Sequence, residues 1–198
     1  MEYNMARINQ NSLMSLEAYA KARPEFRKQA IAHKARRKIF VGDHVMLQFE
    51  DEITVRYQIQ EMLRIEKTFE EEGIQDELDA YTPLLPDGSN WKATQAIEYS
   101  DVEERKLKLV ELKGLERHTY IQVGTQDRVY AIADEDLPRE NDEKTSAIHF
   151  LRFELDASMV AAAKAGEPIA VGVDLPAYNI HVLEIAPETQ TSLVDDLK

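Results

Sequence analysis

The polar and apolar positions alternate in two distinct rhythms along this chain. Over residues 51–72, apolar side chains recur every three to four positions, as one face of an α-helix requires. With Val55 set at zero on a wheel of about 100° per residue, Ile59, Met62, Leu63, Ile65 and Phe69 fall within roughly 80° of it. This span is the clearest helix in the sequence, with Gly73 in place as its C-cap. Over 146–155 the period is two instead, and His149, Leu151, Phe153 and Leu155 share one strand face.

The same reading places the remaining elements. Ser15 is a candidate N-cap for a helix over 16–22, and Pro24 suits the first turn of a second helix running to about Arg37. Residues 38–50 read as a β-hairpin turning at Gly42-Asp43-His44. Residues 74–81 form a short helix, and a loop follows at Pro83, Pro86 and Asp87-Gly88-Ser89-Asn90. A strand over 91–99 leads to a helix opened by the capping box Ser100-x-x-Glu103 and closed at Gly114. Strands over 119–123 and 128–133 flank Gly124–Asp127 as a hairpin, and 134–144 is an acidic loop. Asp156 caps a small-residue helix closed by Gly166, strands follow over 169–173 and 178–185, and Pro187 starts a last helix.

Strands joined by tight turns pair antiparallel, since parallel pairs need long crossovers. The expectation is an α+β fold, a single domain over 15–198 with a mainly antiparallel sheet packed against several helices. Residues 1–14, polar and Asn-rich, read as a flexible arm. They contain no apolar core of a secretory signal, and no stretch nears the roughly 20 apolar residues of a membrane span, so a cytoplasmic protein with no membrane partner is expected.

Composition narrows the chemistry. The 198 residues include no cysteine, which excludes disulfides, thiolate nucleophiles, cysteine zinc sites and protein-ligated iron–sulfur clusters. Histidines 33, 44, 118, 149 and 181 show no close ligand spacing, and neither a P-loop nor a G-x-G-x-x-G or G-x-S-x-G motif occurs. No metal and no cofactor is therefore expected. The net charge of −13 argues against nucleic acid, although residues 21–38 hold eight Lys and Arg against Glu25 alone. The acidic stretch 61–79 offers that basic segment a counterpart, within one chain or across a homodimer.

Two polar residues interrupt the helical stripe. Glu66 falls at about 20° on the wheel and Gln58 to one side, each four residues from Met62. A carboxylate on a buried face is costly unless paired or protonated, so Glu66 is a candidate pocket residue with Gln58, or an ion-pair partner for Arg152. His149, on the apolar face of its strand, and Asp174, at the end of another before Leu175-Pro176, complete the candidates.

The segments 58–66, 69–74 and 77–81, with Tyr130–Asp136, Lys144–Glu154 and the 15–26 opening, resemble an uncharacterised bacterial family classed as a domain of unknown function. Genes of that family often lie near those for rubrerythrin and an iron–sulfur oxidoreductase. The resemblance implies a non-catalytic accessory or interaction protein in redox or oxidative-stress metabolism, with a redox protein as partner. Two other readings remain from the residues: an enzyme with a carboxylate and arginine pocket at Glu66 and Arg152, and a nucleic-acid binder using 21–38.

Overall fold

The computed structural model describes residues 8–198. Contacts gather them into two compact units. One unit holds the described residues up to Ala35 together with Glu50–Leu85; the other holds Arg36–Phe49 and Pro86–Lys198.

The first unit is helical. It contains helices α1 (Leu16–Ala35), α2 (Glu52–Glu66) and α3 (Glu71–Tyr81), with a 3-10 turn before α1 at Gln10–Ser12 and another after α3 at Thr82–Leu84. Val55, Ile59, Leu63 and Leu78 form its core, and Ile8 is buried among them. The first part of the expected arm, 1–7, lies outside the described residues. Residues 8–14 are packed, because Gln60 holds them: its side chain accepts from Met14 N at 2.8 Å and donates to Met14 O. Helix α1 is continuous through Pro24, where two helices were expected. Pro24 and Ala20 both lie on the exposed side, where the Ala20 carbonyl that loses its amide partner is open to water rather than stranded in the core.

Helix α2 starts as its capping signals require, with Asp51 Oδ1 accepting from Thr54 N and Thr54 Oγ1 accepting from Asp51 N. It stops earlier than the apolar period predicts. Lys67 turns left-handed at φ 56°, and Thr68 N bonds back to Leu63 O. Ile65 and Phe69 are consequently exposed, and Gly73 lies inside α3 rather than capping α2. Gly73 is needed for space: a Cβ there would stand 2.5 Å from Thr68 Cγ2.

An ion-pair cluster joins α1 to α2. Glu61 accepts from Arg23 at 2.7 and 2.9 Å, from the Tyr19 hydroxyl at 2.7 Å, and from Arg64. The Arg23 guanidinium, with help from Tyr19 and Arg64, outweighs the burial of Glu61 and lowers its pKa to about 2.

The second unit carries two wholly antiparallel sheets where one was expected. Strands β1 (Lys38–Val41), β2 (Val45–Phe49), β3 (Asn90–Ile97), β6 (Ile132–Ala133) and β7 (Ile148–Glu154) form the first, in the order β1-β2-β3-β7-β6. The second runs β5-β4-β8-β9, from β4 (Thr119–Val123), β5 (Val129–Tyr130), β8 (Ile169–Leu175) and β9 (Tyr178–Val182). The expected strand over 128–133 is divided between them: Tyr130 pairs with Tyr120 in one sheet, and Ile132 with Arg152 in the other. Inward residues of both sheets, including Leu47, Phe49, Trp91, Phe153, Ile121 and Val171, belong to one core.

Helices α4 (Val102–Glu111), α5 (Ala157–Lys164) and α6 (Pro187–Val194) complete the unit. Asp101 rather than Ser100 caps α4, while Asp156 caps α5 as expected. Trp91 Nε1 donates to Leu193 O at 2.7 Å. Arg37, only 1% exposed, donates to Ser192 O and to Asp196 Oδ2 at 2.5 Å, which anchors the end of α6 to the first hairpin.

Two outcomes follow from the helical unit. Gly73→Ala should fail to yield the roughly 0.5–1 kcal/mol that alanine adds in a helix, and the double variant with Thr68→Ser should recover it in urea titrations. Glu61→Gln should destabilise by at most about 3 kcal/mol at pH 7. Because the folded pKa is depressed, the Glu61 contribution is fully present above the ordinary carboxylate range and is lost as pH falls from there through about 2. Wild type and variant should therefore converge in stability below about pH 4; a gap that persists unchanged at pH 2 would refute this.

Candidate functional site

The strand period that singled out His149 places it fully buried on the inner face of β7. Its Nδ1 lies 2.6 Å from Asp134 Oδ2, and its Nε2 lies 2.8 Å from Thr145 Oγ1 and 3.1 Å from Ser146 O. Thr145 Oγ1 donates to Glu116 Oε2 at 3.3 Å, and Gln95, paired across the sheet with His149, accepts from Thr119 Oγ1 at 2.7 Å. Asp134 holds its position at φ 53°, where an L-residue is strained, because its other oxygen accepts from Phe150 N and Arg139. The carboxylate–imidazole–hydroxyl order is that of a proton relay. The relay is nevertheless closed to solvent: His149 is 0% exposed, Glu116 1% and Thr145 2%. Oxygen Oε1 of Glu116 and Nε2 of Gln95 are buried without hydrogen-bond partners.

Beside this network a cleft of about 490 Å³ is walled by Leu109 of α4, Pro138–Asn141 and 144–147. Thr145 belongs to both.

Asp174 stands at the centre of a second cluster, on the outer face of the four-stranded sheet. Its Oδ2 accepts from the Tyr130 hydroxyl at 2.5 Å and from Arg128 at 3.2 Å, and its Oδ1 lies 3.1 Å from His118 Nδ1. The Tyr130 hydrogen bond, against the opposing effect of burial and with help from His118 and Arg128, holds the Asp174 carboxyl below the usual range. The Arg128 guanidinium stacks 4.1 Å from the Tyr120 ring centre, and the Tyr120 hydroxyl lies 2.6 Å from His181 Nδ1. Burial pushes the Tyr120 phenol up, and Arg128 draws it down. The arrangement depends on Gly172, since a Cβ there would stand 2.5 Å from the Tyr120 hydroxyl oxygen. Tyr130 is 44% exposed, and the side chains of His118 and Arg128 are 45% and 39% exposed.

The other candidates stand apart from both clusters. Glu66 is exposed at the last turn of α2, because the helix ends there and the stripe does not continue beyond it. Its charge acts with burial to raise the pKa of Glu77. Gln58 is half-buried, and the fully buried polar residues of α2 are Thr54 and Gln60. Arg152 pairs with Glu135, in the loop after β6, at 2.8 Å and with Glu154 of its own strand at 2.5 Å. Sequence reading passed over Tyr120, Arg128, Tyr130, His118 and His181. The available signal was Gly172, a lone glycine inside an apolar strand, which marks a close approach. Among the described residues no group of three or more His, Asp or Glu stands together as a metal-ligand set. Nor is any described helix long and apolar enough to cross a membrane.

No curated protein matches the chain. A crystal structure at 1.90 Å of a novel protein of unknown function from Burkholderia pseudomallei K96243 is 52% identical, with a TM-score of 0.93 over 98% of this chain and 100% of that one. A family model matches residues 7–197, nearly the whole of both units, in keeping with the resemblance read from the sequence. The chain belongs to that family, described as Protein of unknown function (DUF3501).

Proposed function

We propose that this protein is a non-catalytic accessory protein that docks a partner protein on the outer face of its four-stranded sheet. The observation that carries this reading is the Asp174 cluster. It holds Tyr130, Arg128 and His118 in fixed positions while leaving each well exposed. Tyrosine and arginine are the residue types that dominate binding energy at protein interfaces, and side chains already immobilised lose little further entropy on binding. His181 lies on this face of β9, and Leu183, in the bend that follows β9, is 82% exposed. The groups able to relay protons around His149 are sealed from solvent, which favours binding over catalysis.

The partner we infer presents carboxylates around a small apolar recess, to meet Arg128 and the histidines on one side and Leu183 on the other. The family resemblance supports a redox protein of bacterial oxidative-stress metabolism, in the cytoplasm, as that partner; a second copy of the chain is the competing occupant. Nucleic acid fits less well. Arg23 is paired with Glu61 and Arg37 is buried, so the basic segment offers less free charge than its sequence suggests, on a chain of net −13.

Quantitative affinity purification from the native host, with wild type, Leu183→Asp and Arg128→Ala side by side, tests the reading. Loss of an interface anchor costs about 2 kcal/mol, roughly thirtyfold in Kd, so a stoichiometric partner of the wild type should be depleted at least tenfold with either variant while Tm is retained. Equal recovery on all three baits would defeat the proposal. So would size-exclusion chromatography showing a wild-type dimer that Leu183→Asp dissociates, since the face would then serve self-association.

A further inference from the structure

We infer that His149 is a buried imidazolium that locks the segment between β6 and β7 in place, and that loss of one of its two ring protons as pH rises releases that segment. The lock is independent of the docking face. Both nitrogens of the ring face oxygen acceptors, and the charges around it alternate in sign.

His149 Nδ1 lies 2.6 Å from Asp134 Oδ2, and Nε2 lies 3.1 Å from Ser146 O and 2.8 Å from Thr145 Oγ1. A carboxylate and a carbonyl oxygen only accept, so each nitrogen has to donate, which a neutral imidazole with its single N–H cannot do. Thr145 does not supply the missing proton. Its one hydroxyl hydrogen goes to Glu116 Oε2 at 3.3 Å, and Glu116 Oε1 is buried with no hydrogen-bond partner. Turning that hydroxyl towards the ring would leave the Glu116 carboxylate, 1% exposed, without any hydrogen bond. It would also set the Nε2 lone pair against Ser146 O. With a proton on each nitrogen, Nδ1 donates to Asp134, Nε2 donates to Thr145 and Ser146, and Thr145 donates onward to Glu116.

The neighbouring charges are ordered to suit a cation at this position. Arg139 lies 3.3 Å from Asp134, His149 lies 2.6 Å from Asp134 and 3.8 Å from Glu116, and Arg117 lies 3.9 Å from Glu116. Arg117 also pairs with Glu140, the chain neighbour of Arg139. The signs therefore alternate around a closed ring of six residues, in which histidine is the one residue type that titrates near neutrality. Gln95, the partner of His149 across the sheet, adds no charge. A neutral imidazole would leave the Asp134 and Glu116 carboxylates facing one another across an uncharged spacer. Asp134 opens the segment after β6, and Thr145 and Ser146 close it before β7, so the imidazolium clips its two ends together. Because His149 is 0% exposed, its proton leaves only as the segment opens, and deprotonation and release are one event.

Long-range proton–nitrogen NMR of the full chain with isotope-labelled histidine reads both ring nitrogens, and glutamine variants of His33, His44, His118 and His181 assign His149 by elimination. Both His149 nitrogens are expected to carry protons at pH 7; a single protonated nitrogen there would overturn the imidazolium. Raising the pH to about 10 should remove one proton. Over the same range, hydrogen-exchange protection of the Thr145 and Phe150 amides, which bond to Leu109 O and Asp134 Oδ1, should fall at least about tenfold, with the amides of β4 and β8 unaffected. Loss of the proton with both amides still protected would overturn the lock, as would a ring and amides unchanged throughout. Glu116→Gln removes one flanking anion, so its His149 should give up the proton at lower pH than wild type. An unchanged midpoint would overturn the part assigned to Glu116, and the wild-type titration decides the lock even where this variant fails to fold.

Discussion

The contact between Asp134 and His149 is the joint on which both candidate surfaces depend. Asp134 sits where the chain leaves β6, in a left-handed conformation that a non-glycine residue adopts only when its surroundings enforce it. His149 Nδ1, Phe150 N and Arg139 all converge on its carboxylate. Just upstream, the chain has crossed from one sheet to the other between Tyr130 and Ile132, with Ala131 N donating to Thr119 O on the way. Fixing Asp134 therefore fixes the crossing. That holds Tyr130 over Asp174 on one side and launches the loop that walls the cleft on the other. In a buried setting such a contact is hard to give up, because removing either partner strands the other without water.

What could be read from the sequence divides along the same line. Local signals transfer directly: the alternation over 148–154, the hairpin at Gly42, the cap at Asp156 and the helix start at Pro187 each depend on a few neighbouring residues. The end of α2 was not legible. Lys67 takes a backbone conformation usually left to glycine or asparagine, so residue type carried no warning, and the apolar period ran on through Ile65 and Phe69 into residues that are exposed. Glu66 was misplaced for that reason alone. The Asp174 cluster was legible only as isolated residues, since His118, Arg128 and Asp174 come from separate strands and turns and meet only once β4 pairs with β8.

The acidic and basic blocks follow a similar logic. Helix α1 carries a local excess of positive charge, and α2 and α3 a local excess of negative charge. Part of that opposition is resolved within the helical unit through Arg23 and Glu61, at a site sheltered enough for the carboxyl to be strongly perturbed. Lys34 adds a contact over the Tyr57 ring, and His33 pairs with Asp51 at the start of α2. These pairs orient α1 on α2 by charge as well as by burial. An interface role for the basic segment has to rest on what remains of it.

The buried polar network has a further consequence for strand register. Gln95 and His149 are direct partners between β3 and β7, and both point inward. A slip of one residue would reverse every side chain of the moving strand. Moving β7 would carry His149 away from Asp134 and Thr145 and bring Phe150 into their place, leaving two buried polar groups without an imidazole. Burying Gln95, Glu116 and His149 costs stability, as the unpaired Gln95 Nε2 and Glu116 Oε1 show. His149 makes the slipped alternatives costlier still, because only the native register joins it with Asp134, Thr145 and Glu116 in one chain of hydrogen bonds. The imidazole and carboxylate thus trade the stability that aliphatic residues would give this core for a single strand register.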